Sequence, residues 1–138
     1  MHTEGYLAPT TVDAARERYE GLEPTAKTIV REVASAMEFE PAEYEERVTE
    51  DVLVTARDAL FASLLEARVG SREAFEEWRE DHPGYDTEVA GSEHVARVVW
   101  HVAPFAERAV AATFEDAERA AIGALRRQAF GRIYREVL

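Results

Sequence analysis

Five arginines stand in the last twenty residues, Arg119, Arg126, Arg127, Arg132 and Arg135, against a single acid, Glu136. That is a local excess of four positive charges in a chain whose formal net charge is −12. A guanidinium presents a planar fork of donors that matches a carboxylate or phosphate bidentately, so the cluster points to three chemistries. Arg132 and Arg135, near the end of a helix, complement its dipole at about 0.3–1 kcal/mol each. Arg119 and Arg126 fall inside the apolar arc of Ile122, Leu125, Ala129, Phe130, Ile133 and Val137. There they would reach carboxylates on a neighbouring helix or subunit, with Glu32, Asp58 and Glu66 as available partners. The third chemistry is a phosphate or nucleic acid held by the C-terminal arginines. High salt weakens such contacts steeply, which makes nucleic acid the weakest of the three.

The other reactive side chains are sparse. There is no cysteine, which removes disulfides, iron–sulfur clusters and thiol catalysis together. His94 and His101 are seven residues apart, not the i,i+4 pair of a zinc-protease helix, and no metal site is assigned. No Gly-x-Ser-x-Gly elbow, P-loop or GxGxxG stretch is present. Adjacent acids such as Glu45-Glu46 and Glu76-Glu77 carry no catalytic signal in a chain this acidic. The segment "VVWHVAPF" sets His101 beside Trp100, Pro104 and Phe105. This suits a hydrogen-bonded histidine at the edge of a core, or a small-molecule pocket formed by Trp100, His101 and Arg126. The residues singled out for a ligand or an interface are Trp100, His101, Arg126, Arg127, Arg132 and Tyr134. No catalytic residue and no cofactor is assigned, and the balance leans away from an enzyme.

The elements that position these groups follow from composition and periodicity. The 138 residues are 46% apolar and suit a single domain over 1–138. A chain of this size buries roughly 68% of its unfolded surface on folding. No apolar run approaches the ~18 residues of a membrane span, and the first residues lack the pattern of a signal peptide. A cytoplasmic protein is therefore expected. Acids number 28 against 16 bases, and Lys27 is the only lysine. At ~1 M salt the Debye length is about 3 Å, so repulsion among carboxylates is screened while charge maintains solubility. The acid excess reads as adaptation to a salt-rich cytoplasm.

Along the chain, Met1–Pro9 reads as an arm. Thr10 or Thr11 caps a first helix ended by Gly21, and Pro24 opens a second that runs to about Met37. Ala26, Ile29, Val30, Val33 and Met37 form one apolar stripe on it. A third helical region starts at Pro41, pauses at Thr49 and continues to Val69. Ser71 caps a short helix with Phe75 and Trp78 turned inward, and His82-Pro83-Gly84 is a turn. The Val-rich stretch before Pro104 predicts a β-hairpin, with strands at about 95–102 and 108–114. The alternative is a Pro-kinked helix and an all-α chain. Thr113 or Asp116 caps a last helix that runs almost to Leu138. The expected fold is mainly α, a small domain of about five helices with a hairpin near residues 95–114.

The segments "ARDALFASLLEARVG", "VVWHVAPFAERAVAATFED" and "RRQAFGRIYREVL" resemble an uncharacterised protein family of haloarchaea. The likeness runs over nearly the whole chain. It implies a halophilic source and a cytoplasmic location, and it carries over no activity and no catalytic residue. The leading functional expectation is a non-catalytic interaction protein that associates with itself as a homodimer through helix faces. The alternatives are a small-molecule-binding protein or enzyme around Trp100, His101 and Arg126, and a nucleic-acid binder using the C-terminal arginines.

Overall fold

The computed structural model describes residues 1–138. Five strands form one mixed sheet in the order β1-β2-β4-β5-β3. They are β1 (His2–Glu4), β2 (Ala67–Ser71), β3 (Asp86–Ala90), β4 (Arg97–Ala103) and β5 (Arg108–Phe114). All neighbours are antiparallel except β3 and β5, which run parallel. Six α-helices accompany them: α1 (Val12–Gly21), α2 (Glu23–Ala36), α3 (Pro41–Arg47), α4 (Glu50–Leu64), α5 (Arg72–Asp81) and α6 (Glu118–Ala129). The last helix closes in a π-turn over Phe130–Tyr134.

This is an α/β fold, and it overturns the expectation of a mainly α domain with a hairpin. Strand, turn and strand do occupy 97–114, but β4 and β5 are inner strands of a five-stranded sheet rather than an isolated ribbon. Three strands account for the difference. β2 lies where the third helical region was expected to reach Val69. That helix stops at Leu64, and Gly70 is a strand residue rather than a helix stop. β1 occupies the expected arm, pairing His2 with Val69 and Glu4 with Ala67. β3 is short, polar and at the sheet edge, where a charged strand resists pairing with another chain. Its Asp-Thr-Glu-Val-Ala sequence lacks the apolar alternation that marks a strand.

Both faces of the sheet are covered. β4 is buried at every position after Arg97, because helices cover it on both faces. Val98, Trp100 and Val102 face α5, where they pack with Phe75, Trp78, Ala109 and Ala111. Val99 and Ala103 face the opposite layer, with Phe61 and Leu65 from the α4 region and Ile122, Leu125 and Phe130 from the last helix. Helix α1 adds Ala15 to this layer. Helix α2 packs on α4 and buries Ala26, Val30 and Ala34.

Three helices start where the sequence signals them. The Thr11 hydroxyl accepts from the Ala14 N–H at 3.0 Å and the Ser71 hydroxyl from Ala74 at 3.1 Å. The Thr49 hydroxyl accepts from Val52 at 3.4 Å. Each such cap is worth typically ~1 kcal/mol. Helix α6 departs from this pattern. Thr113 belongs to β5, and the helix is preceded by Ala117 without any side-chain cap.

Candidate functional site

β4 delivers His101 into the larger helical layer, where it is fully buried. Its Nδ1 lies 2.7 Å from the Glu66 carbonyl oxygen, and its Nε2 lies 2.6 Å from the Tyr134 hydroxyl. A carbonyl can only accept, so Nδ1 carries the hydrogen, and Nε2 accepts from Tyr134. The π-turn places Tyr134 there. Its wide i→i+5 bonding is recorded in the Arg135 N–H donating to the Phe130 carbonyl at 2.9 Å. Burial pushes His101 down to about 4, with the nearby Arg68 and Arg126 charges acting in the same direction. Burial also raises the Tyr134 hydroxyl well above the usual phenol range. At pH 7 the pair is a neutral imidazole and a neutral phenol. It ties the centre of the sheet to the C-terminal turn.

Trp100 does not join this pair. Successive strand residues point to opposite faces, so Trp100 lies against Phe75, with ring centroids 5.3 Å apart. Its indole N–H sits there without an acceptor. The pocket read from Trp100, His101 and Arg126 is therefore split by the sheet itself.

Arg126 is close to His101 but does other work. Its Nε donates to the Leu65 carbonyl at 2.9 Å, just past the end of α4. The expectation of a carboxylate partner is corrected by this bond: Arg126 answers a carbonyl that the end of a helix leaves without a partner of its own. The Leu64 carbonyl is met separately, by the N–H groups of Tyr6 and Leu7. Burial pushes the Arg126 guanidinium down, partly offset by Glu4. Gly5 makes room for it. With φ at +78°, a Cβ there would stand 2.6 Å from both Arg126 Nη2 and the Leu65 oxygen. Only glycine meets both conditions without strain.

The remaining arginines separate. Arg132 is exposed and reaches Glu88 on β3 at 2.5 Å, while its own carbonyl accepts from Arg108 at 2.8 Å. Arg135 lies over the Phe130 ring at 5.3 Å, and Arg127 is exposed. Arg126→Ala is expected to lower unfolding free energy by about 1–3 kcal/mol, because the Leu65 carbonyl loses its charged donor. Arg135→Ala should cost less than ~1 kcal/mol. Urea melts of both variants at one KCl concentration check the contrast, and equal midpoints would remove the structural role given to Arg126.

A second arrangement lies on α2. The apolar stripe of α2 is only half covered. Ala26, Val30 and Ala34 are buried, but Ile29 is 38% exposed, Val33 53% and Met37 59%. These three recur at i, i+4 and i+8 and form a straight ridge in solvent. Val52 of α4 is also 40% exposed. On another side of α2, Phe39, Pro41, Tyr44 and Arg31 line an open groove of about 460 Å³. Helix α2 carries Glu23, Lys27, Arg31 and Glu32, so its charges cancel in a chain of net −12. Periodicity found the stripe; it could not reveal that α4 covers only one side of it.

No helix is long and apolar enough to cross a membrane. A family model described as a family of unknown function, DUF5809, matches residues 6–135. No curated protein and no solved structure matches the chain.

Proposed function

We propose, for a chain that belongs to the DUF5809 family of unknown function, a non-catalytic role as an interaction protein that pairs with a second copy of itself through α2, in the cytoplasm of a halophilic cell. The observation that carries the reading is the ridge of Ile29, Val33 and Met37, three large apolar side chains left in solvent beside the buried Ala26, Val30 and Ala34. Single exposed apolar residues are ordinary on a surface, whereas an aligned row marks a contact.

A second copy suits the ridge. Val33 lies midway between Ile29 and Met37. A two-fold axis through Val33 sets each Ile29 against the partner's Met37, as a self-complementary contact requires. Charge favours the same face. Two chains of net −12 repel each other, and a helix of zero net charge is where they approach at least cost. The acid excess, with a single lysine, supports the salt-rich setting, in which the remaining repulsion is screened.

Sedimentation velocity across a protein dilution series, in dilute and in molar KCl, tests the reading. The expected result is a concentration-dependent dimer of the 15.5 kDa chain, favoured by KCl. Val33→Glu is expected to leave a folded monomer, since the residue contributes little to the core. A parent that stays monomeric at every concentration and salt overturns the proposal. So does a dimer that Val33→Glu leaves intact.

A further inference from the structure

We propose that His2, Glu4 and Glu118 form a binding site for one divalent transition ion of the zinc class. One imidazole and two carboxylates converge here from opposite ends of the chain. Each offers one ligand atom, and the three atoms lie within 4.8 Å of one another.

The fold builds this convergence. His2 and Glu4 are alternate residues of β1, so they point to the same face. Glu118 opens α6 in the layer that this face looks towards. His2 Nε2 stands 3.3 Å from Glu118 Oε2. In a tetrahedral site, donors about 2.1 Å from zinc stand roughly 3.4 Å apart, so these two atoms already have the spacing of a shared ion. The other oxygen of Glu118 is held by Arg97 Nη2 at 2.7 Å. That bond fixes the carboxylate with Oε2 turned towards His2, the kind of outer contact that orients a metal ligand.

The donor set selects the ion. One nitrogen and two oxygens suit zinc, cobalt(II) or manganese(II) better than magnesium or calcium, which prefer oxygen alone. His2 and Glu118 are both partly exposed, so water completes the coordination. Binding would join β1 to the start of α6.

Calorimetry with ZnCl2, and visible absorption with CoCl2, on tag-free full-length protein at neutral pH and high KCl, provide the test. The expected result is one equivalent of ion per chain, a ligand-field band with cobalt and a higher melting temperature with zinc. His2→Ala and Glu118→Gln are each expected to weaken binding by about tenfold or more. Both positions are away from the core, so circular dichroism should be unchanged. The proposal is overturned if the parent shows no stoichiometric binding, or if it binds no better than His2→Ala. The three residues would then be an ion-pair staple only, with the chain's many other carboxylates as background. Neither result depends on dimer formation, because Val33 is not among the ligands.

Discussion

Phe61→Ala is expected to lower the free energy of unfolding by about 3–5 kcal/mol. Phe61 is wholly buried on α4, and its ring meets three others edge-on. The centroid of Tyr19 lies 5.8 Å away, that of Phe130 6.0 Å and that of Tyr134 5.2 Å. These rings come from α1 and from the C-terminal turn, so one side chain joins three elements. Edge-on pairs add about 0.5–1.5 kcal/mol each beyond the area they bury. Tyr19 is itself anchored, donating its hydroxyl to Asp58 at 2.5 Å, which limits how far the site can collapse around a cavity. A typical domain has only about 5–15 kcal/mol of stability, so the loss should be plain in urea melts at fixed KCl. Phe61→Leu, which keeps most of the volume, should lose much less. A Phe61→Ala loss below ~1 kcal/mol would show that the aromatic cluster does not hold these elements together.

Acid should destabilise the protein through His101 by about 3 kcal/mol between pH 6.5 and 4. The sign follows from which state holds the proton. An unfolded histidine takes it up near 6.5, whereas the buried His101 resists until about 4. Between those values the unfolded chain binds more protons, so stability falls as pH falls. It is fully present above pH 6.5. Protonation would also oppose the Tyr134 hydroxyl with an N–H donor where it now meets an acceptor. Carboxylates titrate in the lower part of the same range, so the measurement is a difference. The loss from pH 7 to 4.5 should be larger in the parent than in His101→Gln, which has no titrating group there. Equal losses would show that His101 does not titrate as its burial requires.

The legibility of this fold in its sequence varied with how each element is stabilised. Helix starts could be read because Thr11, Thr49 and Ser71 cap through their own side chains, a local interaction. β4 and β5 could be read because their residues are largely apolar on both faces, with Val, Trp and Ala covered on either side of the sheet. β1, β2 and β3 could not, because their order comes from pairing with strands distant in the chain. Gly70, read as a helix stop, sits in β2 opposite Val98. Among the site residues, the hydrogen bonding of His101 matches the reading of a histidine held at a core edge, although it lies inside the core. The Tyr134 contact depends on the π-turn, which no local motif marks. Arg126 was recognised as lying on an apolar arc, but its partner is a main-chain carbonyl, and a sequence search for charge partners passes over such groups. The α2 stripe is legible as a set of residues, but how far α4 covers it depends on packing that the periodicity does not carry.

The π-turn at Phe130–Tyr134 also bears on heredity. A turn of this kind holds one more residue than an α-turn over the same stretch of axis. Winding the same residues as plain α-helix would rotate everything beyond them by about 100° and carry Tyr134 away from His101. A relative one residue shorter at this point could instead run an unbroken α-helix and still bring its tyrosine to the histidine. The turn is thus a place where the lineage can gain or lose a residue without disturbing the core contact beside it. A gap there in a comparison of relatives would mark conserved geometry, even though the residue numbers on either side no longer agree.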